Sequence, residues 1–184
     1  PVTKLVLVPG LAGSWNQDAL SGCKDSGYSG GWTSWEKSDE IYLPFLQTVE
    51  RAGLTPLPFY YDWRRDPRDS AQTLKTFIDA QTAANERIYL VGHSLGGLVA
   101  RAYLEQEGAN AKVAGYVSVG SPHQGTPVAY YAWSGGKIIG NSEWRTGGAL
   151  LNAFCQIRGE WKLPRRIVQE HAPVVQSLLP TYEY

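Results

Sequence analysis

The sequence predicts an α/β fold with a mainly parallel sheet, and three observations carry that expectation. Short, almost unbroken apolar runs recur at residues 4–8, 57–61, 87–91 and 113–119, the pattern of strands buried on both faces. The stretches between them space their apolar residues helically, so strand and helix alternate along the chain. Finally, the run ending at Gly92 passes at once into a helical pattern through Gly92-His93-Ser94-Leu95-Gly96-Gly97. A strand turning sharply into a helix at G-x-S-x-G is the setting required of a nucleophilic serine.

Lys4-Leu5-Val6-Leu7-Val8 opens the sheet and ends in Pro9-Gly10-Leu11-Ala12-Gly13-Ser14. Residues 12–38 are rich in glycine, carry Trp15, Trp32 and Trp35, and follow neither period. They read as a long surface loop, of the kind that is functional or mobile. A helix is expected from near Pro44, which suits a first-turn position, to just before Gly53, with Phe45, Leu46 and Val49 facing inward. The strand at 57–61 contains Pro58 and is therefore expected at a sheet edge. Asp66 and Pro67 start the next helix, and Leu74, Phe77 and Ile78 give it an inner face through about Thr82.

After the strand at 87–92, Leu95, Leu98, Val99, Ala102 and Tyr103 recur at helical spacing across 95–106. The strand at 113–119 closes in Gly120-Ser121-Pro122-His123-Gln124-Gly125-Thr126. Beyond Pro127 the alternation ends. Short helices are expected around Leu150, Leu151, Phe154 and Ile157, and around Val174, Val175 and Leu178. No repeat or linker divides the 184 residues, which are expected to form one domain.

Lys and Arg together number 17, as do Asp and Glu, and no block of like charge stands out. That argues against nucleic acid as a partner. No apolar run reaches membrane-spanning length. The chain opens on Pro1 without a signal-peptide pattern and reads as processed or excised. Cys23 and Cys155 form either a disulfide or two buried thiols, and their spacing leaves both open. Nothing in the residues calls for a metal or a cofactor.

Glycines flank Ser94 for a steric reason: only a residue without Cβ lets neighbouring backbones approach so tight a turn. The Leu95 N–H, at the start of the following helix, then points toward developing negative charge. Right-handed crossovers bring the carboxyl ends of parallel strands to one rim. Ser14, Asp62, Ser94 and His123 each follow a strand, so they are expected to converge there.

Val8-Pro9-Gly10-Leu11, Tyr61-Asp62-Trp63-Arg64, the segment Gly92 to Gly97 and Gly120 to Thr126 occur in this order. Together they resemble the lecithin–cholesterol acyltransferase-like branch of the α/β-hydrolase lipases. The Tyr-Asp-Trp-Arg segment is the most specific part, and the resemblance runs over residues 2–127, less clearly to 184. It implies a partial α/β-hydrolase core of about four mainly parallel strands flanked by helices, lacking the last strands. It also implies that Ser94 is the nucleophile, that the backbone N–H groups of Leu11 and Leu95 form the oxyanion hole, and that residues 14–40 form a lid. The substrate would be a lipid or other ester, the intermediate an acyl-enzyme, and the acceptor water or an alcohol. Transient contact with a membrane or lipoprotein surface is implied, with a lean toward a secreted or extracytoplasmic setting.

Trp15, Asp62 and His123 are candidates for lining the pocket. Each has a plainer alternative: the Trp-rich loop fills its own apolar gap, Asp62 pairs with Arg64 to brace the rim, and His123 belongs to a tight turn. His93 is expected to point away from Ser94 and to pack. A triad in this fold follows the serine as acid, then histidine. No aspartate follows Asp79, and the later candidates are Glu105, Glu107, Glu143, Glu160, Glu170 and Glu183 with His123 and His171. The chain is therefore expected to be the N-terminal part of a larger hydrolase, with acid and base in a C-terminal segment or companion chain. The competing class is a catalytically silent lipid- or partner-binding module that keeps the elbow as scaffold.

Overall fold

The structure, a computed structural model, describes residues 2–106, 108–137, 153, 155–159 and 162–181. Two compact units divide them. The first comprises Pro1–Trp15, Trp32–Trp63 and Pro67–His123 and holds the sheet. Its strands are β1 (Lys4–Val8), β2 (Thr55–Pro58), β3 (Ile88–His93) and β4 (Val113–Val119). They pair in parallel in the order β2-β1-β3-β4, which places β2 and β4 at the edges.

The continuous apolar run of β1 is explained by cores on both faces. Leu5 and Leu7 pack with Leu46 and Val49 of α2 (Glu36–Arg51) and with Val91. Val6 and Val8 face the other way, against Ala71, Leu74 and Ile78 of α3 (Pro67–Gln81) and Val99, Ala100 and Tyr103 of α4 (Leu95–Leu104). A strand alternates its side chains between faces, so a strand between two helical layers must be apolar at every position. This is the four-stranded α/β sheet the sequence predicts. A one-turn helix, α5 (Ala109–Lys112), leads into β4.

α2 departs from expectation. It starts at Glu36, eight residues before Pro44, which lies inside the helix. The start is set by Ser38, whose hydroxyl accepts from the Trp35 N–H at 3.2 Å, a capping interaction. The inner stripe is Tyr42, Leu46 and Val49, while Phe45, one position off it, is 36% exposed. β2 also begins and ends earlier than expected. Thr55 and Phe59 N–H donate to the Thr3 and Leu7 carbonyls of β1, so Pro58 turns its missing N–H to the open edge, and by Tyr61 the backbone N–H has turned to the Ser14 hydroxyl at 3.2 Å.

The second unit comprises Asn16–Gly31, Arg64–Asp66 and Gln124–Tyr184. Within the stretch expected to be irregular lies α1 (Gln17–Ser21), capped by the Asn16 side chain, which accepts from Ala19 N–H at 2.9 Å. Cys23 and Cys155 are joined as a disulfide, Cα to Cα 5.1 Å, and pack with Ile167. The Arg64 guanidinium is wholly buried and donates to the carbonyl oxygens of Lys24 at 2.6 Å and Asp25 at 3.0 Å. Two helices were not visible in the pattern: α6 (Pro127–Gly135) and α7 (Pro164–His171). Both carry proline in their first turn, a start signal, and α7 buries Ile167, Val168 and His171 along one face. The last, α8 (Val174–Ser177), buries Val174 and Val175 as expected. Of the helix expected around Leu150, Leu151, Phe154 and Ile157, only Ile157 is among the described residues, and it is exposed. Among the described residues no helix is long and apolar enough to cross a membrane.

Candidate active site

Parallel pairing sets the site. Val8 is in register with Gly92, and Gly92 with Ser118, so β1, β3 and β4 end along one rim of the sheet. Ser94 stands where β3 gives way to α4, with φ 52° and ψ −123°. A non-glycine residue in that region costs about 1–3 kcal/mol and persists only where its surroundings hold it. Here the Ser94 N–H donates to the Val119 carbonyl at 2.8 Å, and the Gly97 N–H returns to the Ser94 carbonyl at 3.0 Å.

The neighbouring glycines are where backbones meet. A Cβ on Gly92 would lie 2.5 Å from Gly97 Cα, and one on Gly96 would lie 2.6 Å from the Pro9 carbonyl oxygen and closer still to that of Val8. At Gly97 it would lie 2.6 Å from Ser121 Cβ. G-x-S-x-G-G is thus a packing requirement between β1, the elbow and the loop after β4.

The turn after β1 comes equally close to Ser94. A Cβ on Gly10 would lie 2.9 Å from Ser94 Cβ. Gly10 and Gly13 close a turn through Gly13 N–H to Gly10 carbonyl at 3.0 Å, with Leu11 and Ala12 at its centre and Ala12 at φ 55°. Leu11 is half-buried. Leu95 is buried and opens α4, and first-turn N–H groups have no partner within their helix. Both N–H groups with the expected oxyanion role therefore belong to segments that border Ser94.

This turn is held at nearly every residue. The Pro9 carbonyl accepts from the buried Tyr61 hydroxyl at 2.9 Å, and burial pushes that phenol far above its ordinary pKa. The Gly10 N–H donates to the Tyr42 hydroxyl at 2.9 Å, and the Gly13 carbonyl accepts from Ser38 at 3.2 Å. The Ser14 carbonyl accepts from the Trp63 indole at 3.0 Å. Tyr42 reaches on to His93 Nδ1 at 2.8 Å. Burial raises the Tyr42 pKa, partly offset by the Gly10 N–H, and burial lowers that of His93.

Ser38, Tyr42 and Tyr61 escaped the sequence reading as site-builders. Tyr42 carried a signal: it shares a helix face with Leu46 and Val49, and a tyrosine there needs a partner for its hydroxyl. His93, expected only to pack, also makes a polar contact.

The remaining candidates fall as follows. Trp15 is half-buried, its ring stacked on Trp35 with centroids 5.6 Å apart and its backbone paired with Thr33. Asp62 is buried beside Tyr61. His123 is exposed, and its Nε2 lies 2.9 Å from the Ser118 hydroxyl. Among the described residues no carboxylate lies within hydrogen-bond distance of His123. His171 belongs to the second unit and is buried, with neither ring nitrogen hydrogen-bonded. Its Nδ1 is 3.7 Å from the exposed Asp25 carboxylate, while Glu170 pairs with Lys162 at 2.6 Å. Glu143 and Glu160, the other acids considered for His171, lie outside the described residues. Ligand atoms of Cys23, Cys155 and His171 fall within 4.8 Å of one another, but the two sulfurs are spent on each other.

The sequence model of the lecithin:cholesterol acyltransferase family matches residues 35–176. No curated protein sequence matches significantly. Among solved structures, the mature form of the Bacillus licheniformis lipase BlEst2 superposes with a TM-score of 0.50 at 19% identity, over 96% of this chain and 60% of the lipase. Its propeptide form gives 0.49 at 19% identity, over 91% of this chain and 34% of that one. A metagenomic carboxyl esterase, MGS0156, gives 0.47 at 22% identity, over 89% of this chain and 47% of the esterase. At these identities the likeness to the mature lipase speaks for a shared α/β-hydrolase fold. The chain spans less than two thirds of the length of any of the three.

Proposed function

The chain belongs to the lecithin:cholesterol acyltransferase family, and we propose that it carries the nucleophile of a serine hydrolase or acyltransferase acting on lipid esters. The observation that bears most weight is the Ser94 backbone, held at φ 52° between β3 and α4 with the β1 turn against its Cβ. In this reading the Ser94 oxygen attacks an ester carbonyl. The N–H groups of Leu11 and Leu95 hold the tetrahedral oxyanion, and the alcohol leaves with a proton from the base. Water or a second alcohol then takes the acyl group from Ser94.

The base and its acid come, in this reading, from residues outside this chain. Two observations support that assignment. His123 has the Ser118 hydroxyl, not a carboxylate, at its Nε2. β4 is an edge strand with Val117 and Val119 55% and 47% exposed, an apolar surface suited to further structure packing on it. Trp15, Asp62 and His123 keep their place as pocket-lining candidates, and residues 14–40 as the lid segment.

A fluorophosphonate reacts only with an activated serine, and it tests the proposal directly. The full-length protein should be labelled once, at Ser94, and Ser94→Ala should abolish both labelling and turnover of a lipid ester. An unlabelled Ser94 in a folded, full-length protein would leave the elbow as scaffold in a lipid- or partner-binding module.

A further inference from the structure

We propose that Tyr42 and His93 are positioning residues for the reaction at Ser94: the Tyr42 hydroxyl, held between the Gly10 N–H and His93 Nδ1, fixes the oxyanion turn at its working distance from the nucleophile. The inference rests on the nucleophile assignment above.

One proton arrangement makes Tyr42 both acceptor and donor in the two contacts. The Tyr42 oxygen accepts from the Gly10 N–H at 2.9 Å. Its own proton has one acceptor among the described residues, His93 Nδ1 at 2.8 Å. With that proton on the Tyr42–His93 line, Nδ1 is bare and the imidazole is neutral with its proton on Nε2. The raised Tyr42 pKa and the lowered His93 pKa both favour this state. Tyr42 from α2 and the Gly10 backbone of the β1 turn lie against the imidazole, and Val119 is the register neighbour of His93 on β4. Tyr42 is the titratable one, and burial is the sole cause of the His93 shift.

The mechanical consequence follows from where the ends lie. Gly10 precedes Leu11 in the turn, and His93 precedes Ser94 in the elbow. One hydroxyl therefore ties the residue before the donor to the residue before the nucleophile. Donors are effective when held 2.7–3.1 Å from the place where the oxyanion forms, so a clamp on that spacing acts on kcat more than on KM. Protonating His93 puts a hydrogen on Nδ1, so the contact reverses: Nδ1 donates to the second lone pair of the Tyr42 oxygen, the phenol proton turns away from the elbow, and the arrangement held at neutral pH is replaced.

The test uses the full-length protein with Tyr42→Phe, His93→Asn and Ser94→Ala, each checked for native folding by circular dichroism. Asparagine places a carbonyl oxygen near the position of Nδ1, and it accepts at every pH. Tyr42→Phe should lower kcat about tenfold, the size of one hydrogen bond, with KM nearly unchanged. It should also speed hydrogen exchange at the Gly10 amide. His93→Asn should cost severalfold at most near pH 8, and its acid limb should fall less steeply by one proton than the wild type's, whose limb combines His93 with the catalytic base. Wild-type kcat in Tyr42→Phe, or an acid limb of unchanged steepness in His93→Asn, overturns the inference. Wild-type turnover in Ser94→Ala overturns the nucleophile assignment instead, and the Gly10 exchange rate still reports whether the clamp exists.

Discussion

Gly96 lies so close beneath Val8 that a Cβ on it would overlap the Val8 carbonyl oxygen. The contact joins the first turn of α4 to the end of β1, and neither backbone can retreat without opening the elbow. Gly96→Ala should therefore destabilise by more than about 3 kcal/mol or prevent folding, at the extreme of what single substitutions do. Gly31→Ala, with nothing within 4 Å of the added methyl, should stay within about 0.5 kcal/mol. Urea midpoints of the two proteins decide this, and equal midpoints would show the elbow to be looser than described.

Tyr61 donates to Pro9 from a fully buried position. Tyr61→Phe keeps the ring, stacked 5.1 Å from Phe59, but strands a buried carbonyl. The expected loss is about 1–3 kcal/mol, the cost of an unsatisfied buried acceptor. Denaturant unfolding measures it, and a change near zero would mean that water replaces the hydroxyl.

Stability should fall on the acid side through His93. Burial depresses its folded pKa below the ordinary value of 6.5. Above 6.5 both folded and unfolded chains hold it neutral, and the full contribution is present. As pH falls from there toward the depressed folded value, the unfolded chain takes up a proton that the folded one does not, so stability declines with falling pH. The Glu86 carboxyl, depressed chiefly by its bond to Lys4, acts in the same direction at lower pH. Urea midpoints between pH 8 and 5 for wild type and His93→Asn should diverge, with the variant the flatter of the two.

The Cys23–Cys155 bridge closes a separation of 132 residues. In the chain-entropy picture a loop of that length contributes about 5 kcal/mol. Cys23→Ser with Cys155→Ser should lower stability on that scale and speed exchange of the amides in α1 and α7, while β3 changes least. The segment 14–38 reads by composition as a flap, and its exchange relative to β3 tests that as well. Protection equal to that of β3 would rule the flap out.

This chain alone should not turn over esters at ordinary enzyme rates. Without a base, the Ser94 hydroxyl stays protonated near neutral pH. Oxyanion donors alone still give some acceleration, so a nitrophenyl ester assay needs Ser94→Ala as its blank. Serine-dependent turnover at ordinary rates would place a base among these residues, with His171 the first to replace.

The α/β alternation, the parallel sheet, the edge position of the Pro58 strand and the elbow at Ser94 were all legible in the sequence. Each is a local signal: apolar runs of strand length, a proline that cannot serve a central ladder, glycines where a turn admits no Cβ. The start of α2 was misread because proline is a start signal by habit, while the capping contact of Ser38 with Trp35 is decided by geometry. The disulfide is not legible in the sequence, because spacing along a chain says nothing of distance across it.

Tertiary structure alone decided what holds the turn after β1. Tyr42, Ser38, Tyr61 and Trp63 come to Pro9–Ser14 from a helix and a strand end 25 to 52 residues away. Such polar contacts have no period and no motif, since a hydroxyl finds its partner only once packing has fixed where both backbones run. The place of Ser94 is written in adjacent residues, and the spacing between Ser94 and the turn after β1 is set by side chains that meet only in the fold.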